Sequence, residues 1–360
     1  MHSATAIQPD REFLARVLAS GGGDLKRCFQ CGTCSVVCTL SPDDAPFPRA
    51  QMLEAQWGLG DRLMSDPAVW LCHNCGDCTD HCPRDARPGD VLGAVRAEAI
   101  RHFAVPRWLA AAAMSPAGLP WLLLLPVLVF AAIALWAPPD PVAKGLEFAR
   151  VFPQPALEAL FFTVAGVAVL GFAAGLARFV RALPPEGRRR ILPNLPSAVG
   201  LIAGHSQFCT ARPAQWWGHL LTFWGFVGLA VVGTVVGVGT MAGVMHTPLA
   251  TMSVFKLGAN ACALVVTAGL AWRLYDRVSD PVTRAHTTFT DWAFLVTIFS
   301  VAVTGIASEA LRLLGAASAM YPVYFVHLVL VFALFLYAPY TKFAHLVYRT
   351  VAVAAAGGRR

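Results

Sequence analysis

The chain has 360 residues, of which 56% are hydrophobic and only 14% charged, and its mean hydropathy is +0.57. Soluble globular domains carry about 25% charged residues, so a single soluble domain, a disordered chain and a fibrous repeat are all excluded. The formal charge of +7 does not point to nucleic acid, because the basic residues sit beside apolar runs, the placement that orients membrane proteins.

In chain order, Met1 to Asp10 is polar, with neither a basic start nor an apolar core. That predicts no secretory signal and a first part that stays in the cytoplasm. Residues 1–106 hold eight of the ten cysteines and an ordinary share of charge, and the composition changes sharply near Arg107. The expected division is a cytoplasmic domain over 1–106, a membrane domain over 107–350 and a cytoplasmic tail over 351–360.

Two cysteine runs lie in the first part. Cys28, Cys31, Cys34 and Cys38 repeat the spacing of Cys72, Cys75, Cys78 and Cys82, which Pro83 follows. This is the C-x2-C-x2-C-x3-C run of two-cluster ferredoxins, in which the fourth thiolate of each run binds the other cluster. The expected ligand sets are Cys28, Cys31, Cys34 with Cys82, and Cys72, Cys75, Cys78 with Cys38, holding two [4Fe–4S] clusters. Gly32 and Gly76 keep the loops small enough to wrap a cubane. Disulfides do not suit a reduced compartment, and zinc usually takes paired C-x2-C motifs. His73 and His81 are read as solvent-facing loop residues, and the isolated Cys209 and Cys262 as packing residues.

A helix needs roughly 20 apolar residues to cross a bilayer, and six segments qualify: 119–137, 156–180, 217–240, 251–272, 290–311 and 320–341. Trp216, Trp217, Trp272, Trp292, Tyr321 and Tyr340 suit interfacial belts. Arg181, Arg188, Arg189, Arg190, Arg212, Arg273, Arg277, Arg284, Lys342, Arg349, Arg359 and Arg360 fall on one side. Only Lys144, Arg150, Lys256 and Arg312 fall on the other. The positive-inside rule then puts both termini in the cytoplasm.

Ionisable residues inside spanning segments are costly and point to function. His219 opens the third segment and His345 closes the sixth at the same expected depth, where two imidazoles can hold one haem b. His327 lies 18 residues before His345, about 27 Å along a helix, and belongs to a second haem if there is one. His246 stands at that depth but in a loop, and His205 lies on the cytoplasmic side. Asp291 is read as a helix N-terminal residue, Glu309 and Arg312 as a pair one turn apart, and Lys342 and Arg349 as snorkelling to the surface.

The Cys28-Phe-Gln-Cys31-Gly-Thr-Cys34 run resembles the C subunit of heterodisulfide reductase. The stretches His219–Phe226, Thr304-Gly305, Ser308-Glu309 and Tyr340–His345 resemble haem b membrane subunits related to its E subunit and to the nitrate reductase gamma subunit. Fused in this order, the parts look like the C subunits of quinone-interacting membrane-bound oxidoreductase complexes. The resemblance implies a mainly α chain, an α-helical ferredoxin-like two-cluster domain followed by a six-helix transmembrane cytochrome b bundle. It also implies one or two haem b groups at His219, His345 and His327, and a multi-pass place in the inner membrane. Its implied partners are menaquinone and flavin- and cluster-bearing subunits, and through them adenylylsulfate reductase of dissimilatory sulfur metabolism. In the nitrate reductase relatives a second histidine follows about three turns after the position of His219, and Leu229 stands there instead.

Electron transfer explains why one chain carries both modules, since quinones dissolve in lipid while the clusters sit outside it. A redox-driven ion transporter needs a polar path that the spanning segments lack. A membrane-anchored redox sensor does not need six crossings. A sulfite-reductase-linked complex differs from the leading reading only by resemblance.

Overall fold

The structure, a computed structural model, describes residues 8–42, 44–137, 147–205 and 213–357. Every regular element among them is helical, so the fold class is mainly α, as expected. The head contains α1 (Arg11–Ala19), α2 (Thr33–Val36), α3 (Arg49–Gln56), α4 (Gly60–Ser65), α5 (Ala68–Leu71), α6 (Asp77–Asp80), α7 (Pro88–Phe103) and α8 (Arg107–Ala113). Asp10 caps α1 by accepting from the Phe13 N–H at 2.9 Å, satisfying a donor that the first turn leaves orphaned. The longest head helix, α7, buries Val91, Leu92, Val95, Ala99 and Phe103 on one stripe, and its buried Glu98 takes a 2.7 Å ion pair from Arg16 of α1.

Six long apolar helices follow: α9 (Leu119–Trp136), α10 (Gln154–Ala182), α12 (Pro213–Met241), α13 (Val254–Ser279), α15 (Phe289–Leu313) and α16 (Ala317–Tyr337). Between them stand α11 (Pro185–Gly204) and α14 (Pro281–His286), and the chain ends in α17 (Ala344–Ala355). The chain is a multi-pass membrane protein. Pro126 sits inside α9 and cannot donate to the carbonyl of Leu122 one turn earlier. The Tyr337 hydroxyl of α16 donates to that carbonyl at 2.9 Å instead, which is how membrane helices tolerate proline. Thr288 and Asp291 form a capping box at the start of α15. Helices α12 and α13 pack through glycines: a Cβ on Gly225 would stand 2.7 Å from the Val266 nitrogen, and one on Gly269 2.7 Å from the Thr222 nitrogen. Cys262 packs against Gly228 in the same seam.

Two stretches differ from the sequence expectation. The link after α10, expected as a cytoplasmic loop, is the helix α11. Residues 351–355, expected in a tail, are the buried end of α17. Ala344, Tyr348, Ala352 and Ala355 recur at helical spacing and are buried, and this stripe docks on the head. Head residues Trp70, Val95 and Phe103 share one core with Phe179 and Leu183 of α10 and with Ala344 and Tyr348 of α17. Lys342 and Arg349 do not snorkel. Lys342 pairs with Asp291, and Arg349 is 8% exposed. Tyr340 is buried rather than interfacial, its hydroxyl donating to the Val105 carbonyl at 2.8 Å.

Candidate functional site

The two cysteine runs fold as near copies. Gln30 and Gly32 in the first, and Asn74 and Gly76 in the second, adopt positive φ of 64°, 87°, 57° and 92°. The left-handed turn folds each loop back on itself, and Gly32 and Gly76 then open the one-turn helices α2 and α6. A side chain is strained in that conformation, so glycine there follows from the geometry.

The copies cross. One cavity is lined by Cys28, Cys31 and Cys34 of the first run together with Cys82 of the second. Cys38 packs against the cluster of Phe47, Cys72 and Leu92, and the thiols of Cys72, Cys75, Cys38 and Cys34 all act on Cys78. The first expected set of four thus lines one cavity, and Cys38 lies beside the second run. N–H···S bonds edge the cavity: Ala86 N to Cys82 Sγ at 3.3 Å and Gln30 Nε2 to Cys28 Sγ at 3.5 Å. At the other run, Asn74 N reaches Cys72 Sγ at 3.4 Å. Such bonds tune cluster potentials. Burial, reinforced by the Cys28 thiol, pushes Cys34 up to about 11, and burial pushes Cys75 up to about 11. Without iron both hold their protons at neutral pH, so cluster assembly releases protons.

The runs sit in unlike surroundings. Cys31 is exposed, whereas Cys72 and Cys78 are buried. The segment before Cys72 lies against the membrane body, where Trp70 stacks at 5.0 Å on Tyr348 and stands 6.1 Å from the His345 ring. Arg349, one turn after His345, donates through Nη1 to the carbonyls of Trp70, Leu71 and Cys72 at 3.0, 2.9 and 2.9 Å. Hydrogen bonds to a charged group contribute about 1.5–3 kcal/mol, and here the two hydrogens of Nη1 are shared among three carbonyls. His73 is half-buried, not solvent-facing, and burial together with the Arg349 charge holds it down to about 4. His81 is exposed.

The His219 ring is exposed, with His205 edge-on to it at 4.6 Å between centroids. His205, expected on the same side as His219 and far from His327, is the near neighbour of His219: it ends α11 with φ 50°, a helix the sequence does not announce. Half-buried His327 donates its Nδ1–H to the Val301 carbonyl at 3.1 Å, with Thr304 Oγ1 also 3.1 Å from that nitrogen. A Cβ on Gly305 would approach its Cε1 to 3.0 Å. Anchoring of Nδ1–H leaves the ring lone pair on Nε2, the tautomer that metal-bound histidines use. His246 is exposed and in a loop. Glu309 pairs with Arg312 at 3.1 Å as expected, and also with Lys256 at 2.9 Å. Cys209 lies outside the described residues.

Residues 24–86 match the 4Fe-4S dicluster domain family. The head is a 4Fe–4S domain like that of the C subunit of heterodisulfide reductase. It is 41% identical over 93 residues to the C subunit of the H(2):CoB-CoM heterodisulfide,ferredoxin reductase of Methanothermobacter thermautotrophicus, covering 26% of this chain and 50% of that protein. It is 34% identical over 86 residues to a protein of Archaeoglobus profundus that is itself like the heterodisulfide reductase C subunit, covering 24% of this chain and 46% of that protein. The chain spans about half the length of these relatives. Citrate utilization protein B of Escherichia coli is 29% identical over 365 residues, with 93% of this chain and 92% of that protein covered. No solved structure matches the chain. The chain thus joins a dicluster domain similar to the C subunit of heterodisulfide reductase to six helices long and apolar enough to cross a membrane.

Proposed function

We propose that the chain carries electrons between a menaquinone-type quinone in the inner membrane and a flavin-bearing soluble partner on the head side. Cys28, Cys31, Cys34 and Cys82 hold one cluster, and Cys72, Cys75, Cys78 and Cys38 the other. His219 and His345 hold a haem b at the head-side end of the bundle, and His327 serves a second one near the far leaflet. Bound haem b supplies a one-electron couple inside the bilayer. The observation that carries this reading is the contact of His345 with Trp70, two residues before Cys72. It leaves no gap between the membrane histidine and the buried cysteine run. His327 contributes a fixed tautomer, and the dicluster head presents its exposed Cys31 end to solvent.

Two readings of the partner stand beside each other. Resemblance to quinone-interacting oxidoreductase subunits points to proteins serving adenylylsulfate reductase. The likeness over nearly the whole chain to citrate utilization protein B favours an oxidoreductase of carboxylic acid metabolism. Quinone reduction by purified complex separates them, with adenylylsulfate chemistry or citrate-related acids as the source of electrons.

Optical and EPR redox titration of the purified protein tests the cofactor assignment. Wild type is expected to show about eight iron atoms in two clusters plus low-spin haem. His219→Ala and His345→Ala each lose the low-spin haem signal and quinol-driven cluster reduction while keeping both clusters, whose ligands lie in the head. His327→Ala removes one haem transition of two. An unchanged haem spectrum and unchanged quinol-driven reduction in His219→Ala would mean that this path is wrong.

A further inference from the structure

Arg349 is the most deeply placed cation at the junction of head and body. Its side chain is buried, and its hydrogen bonds go to three neutral carbonyls 277–279 residues away in sequence. Arg96 adds a second guanidinium over the same backbone, with Nη1 3.4 Å from the Val69 carbonyl and 3.5 Å from that of Cys72. Among the described residues no carboxylate forms an ion pair with either arginine. Burying a cation without a counter-charge is strongly unfavourable. Two guanidiniums over one four-residue segment, one buried and one half-buried, call for an anion nearby.

The adjoining cysteine run supplies one. A cubane bound by four thiolates is negatively charged, and one-electron reduction adds a further negative charge. The surroundings of the other run are different. Arg49 beside the Cys28 cavity is exposed, so water and salt screen its charge.

Resting on the two-cluster reading, we propose that Arg349 is a positioning residue that sets the potential of the Cys72 cluster. It pins the Trp70–Cys72 backbone to α17 and places a fixed, unscreened positive charge beside that cluster. The charge favours the reduced state, which makes the Cys72 cluster the higher-potential cluster of the pair. That cluster is also the one facing His345 through Trp70. The Cys28 cluster, at the exposed end, is then the lower-potential one.

The test is an EPR-monitored potentiometric titration of the full-length protein in detergent, with dithionite as reductant. Cys75→Ser first identifies which transition belongs to the Cys72 cluster. In Arg349→Gln that transition moves to lower potential, its reduction equilibrium falling about tenfold or more, 59 mV for one electron, while the other transition stays. Arg349→Lys retains the charge though its ammonium lacks the guanidinium fork, and it keeps most of the wild-type potential. If Arg349→Gln accumulates without clusters, Arg96→Gln carries the same test and lowers the same transition by a smaller amount. An unmoved transition in Arg349→Gln, equal movement of both transitions, or a lysine variant as low as the glutamine one overturns the proposal. So does an unmoved transition in Arg96→Gln when Arg349→Gln holds no clusters. Absence of cluster signals in wild type would instead defeat the two-cluster reading itself.

Discussion

Gly32 and Gly76 each combine a positive φ with a position immediately after a cysteine. An alanine Cβ at such a φ costs about 1–2 kcal/mol, and the strain falls on the loop that must close around a cluster. Gly32→Ala and Gly76→Ala are each expected to lower cluster occupancy while leaving the helical content intact. Iron and acid-labile sulfide analysis beside circular dichroism checks this, and full iron content in both variants would refute it. The cysteines are legible in the sequence because a cubane's ligands come from one short run, so chemistry and spacing coincide locally. Arg349 is not, because its partners are main-chain carbonyls in another module. Neither hydropathy nor charge marks a cation that is buried by such partners. The recurrence of Ala344, Tyr348, Ala352 and Ala355 is the available signal, since a stripe at that spacing needs something to cover it. His205 escapes the sequence for a similar reason: only the fold of α11 returns it to His219.

At the scale of elements, the six spans are readable because a bilayer sets helix length directly, and the observed helices match the expected segments to within several residues. How they pack is less readable, since glycine is common throughout such helices. The α12–α13 seam is where glycine matters most. Gly269 faces the Thr222 nitrogen and the Gly218 carbonyl, both main-chain atoms that cannot swing aside. Gly269→Ala is expected to destabilise the protein by about 1–3 kcal/mol, the usual penalty of overpacking. Gly233, with nothing within 4 Å of its would-be Cβ, is the control. Thermal unfolding in detergent should show a clear loss for Gly269→Ala and essentially none for Gly233→Ala. Equal melting of the two would mean that the helices separate without cost. The pair matters for function because α12 carries His219, and a wider seam would displace that imidazole from the head-side end.

For the whole molecule, the shared core fixes which ends of the helices meet the head. Phe179 and Leu183 at the end of α10, and Tyr348 of α17, pack with head residues. His286, the last residue of α14, lies 3.8 Å from Asp90 of α7. A Cβ on Gly21 of the head would come within 2.9 Å of Thr288, just before α15. The even-numbered links between spans therefore belong to the head side, and they are also the links rich in arginine. Geometry and the positive-inside rule rest on different atoms and agree, which supports a cytoplasmic head. The expected outcome in bacterial cells is specific. Alkaline phosphatase fused after Ala137, Thr247 or Gly315 is active, because those junctions emerge in the periplasm. Fusions after Arg189, Asp280 or Gly357 are inactive there, while green fluorescent protein at the same three sites is bright. Activity of the phosphatase after Arg189 would place the head and its clusters outside.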